Sequence, residues 1–143
     1  MALVNDLLRK KSSDIWSVGP ETTVFAALQL MAEKNIGAVL VKQDEQLVGL
    51  ISERDYARKL VLEDRSSRDT PVRDVMTEHI AYATPSMDIE ECLAVMTDKH
   101  FRHMPVMDDN KLVGLISIGD LVKAIIEHKE FMIEQLEHYI AGQ

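Results

Sequence analysis

The sequence predicts an α/β fold built from two small units of one design, each strand, helix, strand, strand, helix (β-α-β-β-α), packed with pseudo-twofold symmetry and followed by a C-terminal helix. Three observations predict it. The chain repeats itself at a fixed offset, each copy switches between helical and strand periodicity in the same order, and 143 residues suit one ordinary domain or two small ones.

A shift of 65 places Pro20 on Pro85, Gly49 on Gly114 and Asp55 on Asp120, and the register holds without a gap from residue 20 to 57, with 13 of 38 pairs identical. The longest identical run is LVGLIS, Leu47 to Ser52 on Leu112 to Ser117. Upstream, VNDLL (Val4 to Leu8) resembles VRDVM (Val72 to Met76) at an offset of 68, so the first copy carries three extra residues near KKSSD. The copies divide the chain into repeat 1 (1–64), a polar linker (65–71), repeat 2 (72–127) and a helical extension (128–143).

The elements follow in order. A short extended piece, Ile15 to Val18 or Ile80 to Ala83, leads to Pro20 or Pro85. Apolar residues then recur at helical spacing, Val24, Leu28, Met31 and Ala32 matched by Ile89, Cys92, Leu93 and Met96, which is a helix with one buried face. Two strand-like runs come next, Ala38 to Val41 with Leu47 to Ser52, and His103 to Met107 with Leu112 to Ser117. The polar turns Gln43 to Gln46 and Asp108 to Lys111 make each pair a hairpin. A second helix is expected from Glu53 to about Glu63 and from Ile118 to about Glu127. Beyond it Met132, Ile133, Leu136, Tyr139 and Ile140 continue an apolar face, either folded back on the domain or contacting a second copy in a homodimer.

Composition excludes several functions. Sixteen Lys and Arg against 24 Asp and Glu give a net charge of −8, which argues against a sequence-blind grip on nucleic acid or anionic lipid. The longest apolar run, Ile36 to Val41, is far short of the roughly 20 residues a membrane helix needs, and the N-terminus lacks a signal-peptide pattern, so a cytoplasmic location is expected. With Cys92 alone no intrachain disulfide forms, and its place beside Leu93 and Met96 reads as a core thiol. His100 with His103, and Glu134 with His138, lack a third convergent ligand, so no metal is expected; nor do a nucleophile, a base and an orienting group converge, so no enzyme is expected either.

The informative segments are GLISERD (Gly49 to Asp55) and GLISIGD (Gly114 to Asp120), each a strand that ends at Ser with Asp three residues later. The pattern is close to a capping box, which would explain Ser52, Asp55, Ser117 and Asp120 by themselves. A helix start also favours a phosphate, and a nearby carboxylate accepts from ribose hydroxyls, so the same geometry also suits a ligand site, although spacing alone favours capping.

These doubled motifs, with the apolar-x-apolar-x-Pro opening and the His103-Met104-Pro105-Val106 strand, resemble the paired cystathionine β-synthase (CBS) domains, the CBS pair or Bateman module, over about 120 of the 143 residues. The nearest likeness is to stand-alone bacterial members. The resemblance implies a regulatory module that binds adenosine-containing ligands (AMP, ADP, ATP, NAD or S-adenosylmethionine) in two clefts between the repeats and signals to a partner protein. It places Asp55 and Asp120 on the ribose, with Ser52 and Ser117 close by. Phosphate falls to Arg54, Arg102, His103 and Arg58, and adenine to Thr84, Phe101, Gly19, Ile36, Gly37 and Ala38. Since family clefts mix both repeats, Asp55 is expected to work with Arg102 and His103 as the stronger site, and Asp120 with the uncharged Gly37 and Ala38. The alternative is a ligand-independent dimeric adaptor whose repeated motifs only cap helices.

Overall fold

The computed structural model describes residues 2–11 and 14–142, so part of the insertion near KKSSD, at Ser12 and Ser13, lies outside the described residues. In chain order the elements are α1 (Val4–Lys10), β1 (Ser17–Val18), α2 (Val24–Lys34), β2 (Ala38–Gln43), β3 (Gln46–Ser52), α3 (Glu53–Lys59), α4 (Ile89–Lys99), β4 (His103–Asp108), β5 (Lys111–Ser117) and α5 (Ile118–Ala141). Among the described residues no helix is long and apolar enough to cross a membrane.

The chain forms two compact units whose limits differ from those of the sequence repeats. One is Ile15–Ile80; the other joins the N-terminal stretch, through Asp14, to the chain from Ala81 onward. The segment VNDLL therefore packs with the second repeat, as α1, and VRDVM packs with the first, as a 3₁₀ turn over Val72–Asp74.

In the Ile15–Ile80 unit the sheet order is β1-β2-β3, with β1 parallel and β3 antiparallel to β2. The two-residue turn at Asp44 and Glu45 has φ of 51° and 68°, and Asp109 and Asn110 repeat it at 49° and 63°, as a tight hairpin of this hand requires. Each hairpin also carries one register shift at the same place, between Val41 and Lys42 and between Val106 and Met107. Thr23 caps α2 by accepting from the Ala26 amide at 3.1 Å. The helix ends at Asn35 with φ of 55°, matched by His100 at 62° behind α4, so His100 serves as a helix stop. Val24, Ala27, Met31, Val39, Val41 and Ile51 are buried, and Val72 and Val75 complete this core.

The other unit buries the equivalent positions Ile89, Cys92, Met96, Met104, Val106 and Ile116, completed by Val4 and Leu7 of α1. Cys92 thus fills the place of Ala27, and burial pushes its thiol up to about 11, with Glu91 and Asp88 adding to the shift. The equivalent residues Leu8 and Met76 of VNDLL and VRDVM each meet an equivalent glycine. A Cβ on Gly49 would lie 2.6 Å from Met76 Sδ, and one on Gly114 would lie 2.7 Å from Leu8 Cδ2, so in each LVGLIS strand the glycine leaves room for the crossing segment.

Three expectations need correction. Helix α3 stops at Lys59, and Val61–Glu63 form a separate 3₁₀ turn once Leu60 swings into the core. The extended piece at Ile80 to Ala83 shrinks to one parallel bridge, Ala83 to Val106. The linker is tied to α2, where the Ser67 and Thr70 carbonyls accept from the Phe25 and Val24 amides at 3.0 and 2.9 Å, and Thr70 is buried. Finally, α5 does not end near Glu127 or fold back; it is one 24-residue helix, exposed on every side from Lys129 onward.

Candidate functional site

In each unit a strand ends at a serine that starts a helix, and the capping box expected from the sequence is formed. Ser52 Oγ accepts from the Asp55 amide at 3.2 Å, while Asp55 Oδ2 accepts from the Ser52 amide at 2.9 Å and the Ser52 hydroxyl at 3.1 Å. Ser117 Oγ accepts from the Asp120 amide at 3.1 Å, and Asp120 Oδ2 accepts from the Ser117 amide at 2.8 Å. Both carboxylates are thereby held in one orientation at a helix start.

Their remaining partners differ. Asp55 is buried, and its Oδ1 accepts from the Thr77 hydroxyl at 3.3 Å and pairs with Lys59 Nζ at 3.1 Å. Lys59 is fixed in turn by the Val75 carbonyl at 3.0 Å. At Asp120 the donors found among the described residues converge on Oδ2, which Lys11 Nζ reaches at 2.6 Å while also donating to the Leu115 carbonyl at 2.5 Å. Burial alone would push Asp120 up; the Lys11 hydrogen bond, the Ser117 amide, the Lys11 charge and the Ser117 hydroxyl outweigh it and hold the carboxyl below the ordinary aspartate value.

The other sequence candidates divide by unit. In the Ile15–Ile80 unit the Glu53 amide donates to the Gly37 carbonyl at 3.0 Å, and Ala38 pairs with Ser52, so both residues stand beside Asp55's helix start. Arg54 on α3 is half-buried there, and Arg58 is exposed. Ile36 packs against the core, Ala38 is buried, and the Gly19 amide donates to Thr22 Oγ1 at 3.1 Å. In the other unit the Ile118 amide donates to the Arg102 carbonyl at 2.8 Å and His103 pairs with Ser117, which sets both beside Asp120's helix start. Phe101 is half-buried with its amide on the Met96 carbonyl at 3.0 Å; Thr84 is exposed, its hydroxyl 3.4 Å from that of Ser86. The pairing of Asp55 with Arg102 and His103 joins residues of different units and stays a proposal.

Sequence reasoning missed Lys11, Thr77 and Lys59. Lys59 lies four residues after Asp55, a helical pairing distance that could have found it. Lys11 lies 109 residues from Asp120, with no local signal to connect them. Lys11 and Asp120 also border a cleft of about 650 Å³ between α1 and α5, floored by Leu7, Ala124 and Phe131 and edged by Lys10 and Lys123. That volume lies within the range of small-molecule sites. Among the described residues no three His, Cys, Asp or Glu side chains group as metal ligands would.

The model of the CBS domain family matches residues 4–62 and 72–127. This chain is a member of the CBS domain family. The CBS domain-containing protein CBSX3, mitochondrial, of Arabidopsis thaliana is 39% identical, over 97% of this chain and 72% of its own. A putative signal-transduction protein with CBS domains from Burkholderia ambifaria superposes with a TM-score of 0.86 at 46% identity, covering 88% of this chain and 95% of that one. The fold also matches the CBS domain pair of protein MJ0100, solved with 5′-methylthioadenosine and S-adenosyl-L-methionine, at a TM-score of 0.77 and 20% identity over 89% of this chain and 98% of that one. The CBS segments follow the sequence repeat, so each includes a piece that packs in the other compact unit.

Proposed function

We propose that this CBS-domain protein is a non-catalytic regulatory module that takes an adenosine-containing ligand (AMP, ADP, ATP or NAD) at its strand-to-helix junctions and alters the surface offered to a partner protein. The observation that carries the reading is the carboxylate fixed twice, by the same capping box, at the start of a helix. Such an acceptor is already oriented and loses little freedom on meeting a ribose. Asp55 and Asp120 are the ribose acceptors, with Ser52 and Ser117 beside them, and Arg54, Arg58, Arg102 and His103 supply cationic groups for phosphate. The cleft beside Asp120 and the adenosine ligands of the MJ0100 domain pair support the same reading. A ligand regulates only if it favours one conformation over another, so the bound and free forms must differ.

Thermal unfolding with AMP, ADP, ATP, NAD and S-adenosylmethionine, against a guanosine nucleotide, tests this. At a hundred times Kd a true ligand adds about 2.7 kcal/mol of stability. Asp55→Ala or Asp120→Ala should weaken binding about tenfold to a hundredfold at the affected site. The exposed apolar face of α5 favours a second reading, a ligand-independent adaptor; it gains the argument if no adenosine ligand moves the transition.

A further inference from the structure

The two capping-box carboxylates differ in how much of their accepting capacity the fold consumes. A carboxylate offers about four lone-pair sites. At Asp55 they are met by the Ser52 amide, the Ser52 hydroxyl, the Thr77 hydroxyl and the Lys59 ammonium. At Asp120 the hydrogen bonds found among the described residues, from the Ser117 amide and Lys11, both end on Oδ2, which leaves Oδ1 for a ligand. The Asp120 side chain is 29% exposed, that of Asp55 10%. One difference between the repeats accounts for much of this. Lys59 stands four residues after Asp55, and the shift of 65 puts Ala124 in that place after Asp120. Ala124 helps to floor the cleft of about 650 Å³ that Asp120 borders, so the space a lysine would fill there stays open.

The cation at Asp120 comes instead from Lys11, which has no counterpart in the second copy, since the offsets of 65 and 68 set Met76 and His79 opposite it. An ammonium has three donors; Lys11 spends two, on Asp120 Oδ2 and the Leu115 carbonyl, and the third meets no acceptor among the described residues. Lys123 lines the same cleft and forms no ion pair among the described residues, while Lys10 there faces Glu127 at 3.9 Å. We propose that ligand fills the Asp120 junction before the Asp55 junction, and that Lys11 makes it selective for adenosine ligands carrying a phosphate over neutral ones. The inference rests on the nucleotide reading above and reverses the order of strength expected from the sequence. Asp55 must give up a partner before it can take a ribose, whereas Asp120 Oδ1 takes one with nothing displaced. A phosphate then meets an ammonium already held in place, and the unpaired Lys123 offsets the second negative charge.

Calorimetric titration of the full chain with ADP, and with adenosine and 5′-methylthioadenosine as neutral probes, tests this. The first site should bind ADP at least about tenfold more tightly than either neutral probe. Lys11→Met should weaken ADP by about tenfold or more and adenosine by less than about twofold, and Lys11→Arg should restore most of the ADP affinity. Ala124→Lys, which gives Asp120 the neighbour that Asp55 has, should weaken the first site about tenfold, and Lys59→Ala should tighten the second. A cooperative unfolding transition without ligand identifies the folded variants. Equal affinity for ADP and adenosine, a Lys11→Met variant that loses both alike or neither, or an Ala124→Lys variant that binds like the parent would each overturn the inference and leave the nucleotide reading standing. Failure of all three probes to bind the parent would overturn both.

Discussion

Asp55 and Asp120 hold the same place in the two repeats but keep different company, and the difference is measurable. Because Asp120's carboxyl sits below the usual aspartate value of about 3.9, its contribution to stability is present above that pH and is lost as pH falls through the lower folded value. Lys11→Met removes the ammonium responsible for much of the lowering, so the variant should be less stable by on the order of 1 kcal/mol at pH 7, and the gap should narrow as pH falls through the lowered folded value. Denaturant titrations at several pH values would show the gap closing. The two close-approach glycines separate in another way. A methyl at Gly114 meets the end of a flexible leucine, whereas one at Gly49 meets Met76 and, at 3.1 Å, the Thr77 carbonyl. That carbonyl is fixed, because the Leu50 and Thr77 backbones exchange hydrogen bonds at 3.0 and 2.8 Å. Gly49→Ala should therefore cost about 1–3 kcal/mol and Gly114→Ala distinctly less, as read from urea midpoints.

Helices and hairpins were readable because each obeys a local rule. The 3.6 spacing marks α2 and α4, the paired polar residues mark the turns, and Ser-x-x-Asp marks the starts of α3 and α5. The turns offer a test: Glu45 holds a positive φ of 68° that glycine adopts without strain, so Glu45→Gly should stabilise the protein by about 0.5–1 kcal/mol in thermal unfolding. Its ion pair with Lys42, at 3.6 Å with the Glu45 side chain almost fully exposed, is a small loss. Sequence failed where an element's fate is set at a distance. VNDLL and VRDVM read alike, yet one is a helix and the other a 3₁₀ turn. Helical periodicity also runs from Ile118 past Glu127 with no break in the pattern, so where α5 stops contacting its own unit shows only once α1 and α4 are in place beside it. The candidate site was half readable for the same reason: the carboxylates announce themselves by spacing, but Lys11 and Thr77 arrive from remote parts of the chain.

The repeat seen in the sequence is not the unit that packs. Val4 and Leu7 complete the core of residues beyond Ala81, and Val72 and Val75 complete that of Ile15–Ile80. A fragment cut at the sequence boundary, 1–64, lacks the buried Val72 and Val75 and should stay unfolded by circular dichroism and amide dispersion, whereas 15–80 retains its whole core cluster and should show at least partial order. This interleaving bears on how the chain is made. A ribosome releases α1 well before the surface it must cover, Ile89, Met104 and Ile116, which is synthesised some 80 to 110 residues later. At about 5–20 residues per second α1 waits several seconds, its apolar side unshielded, while the segment Ile15–Ile80 emerges and can already close on itself. Helix α1 is then translated before its partners yet among the last elements to settle, and a chaperone that meets the nascent chain would find its target there.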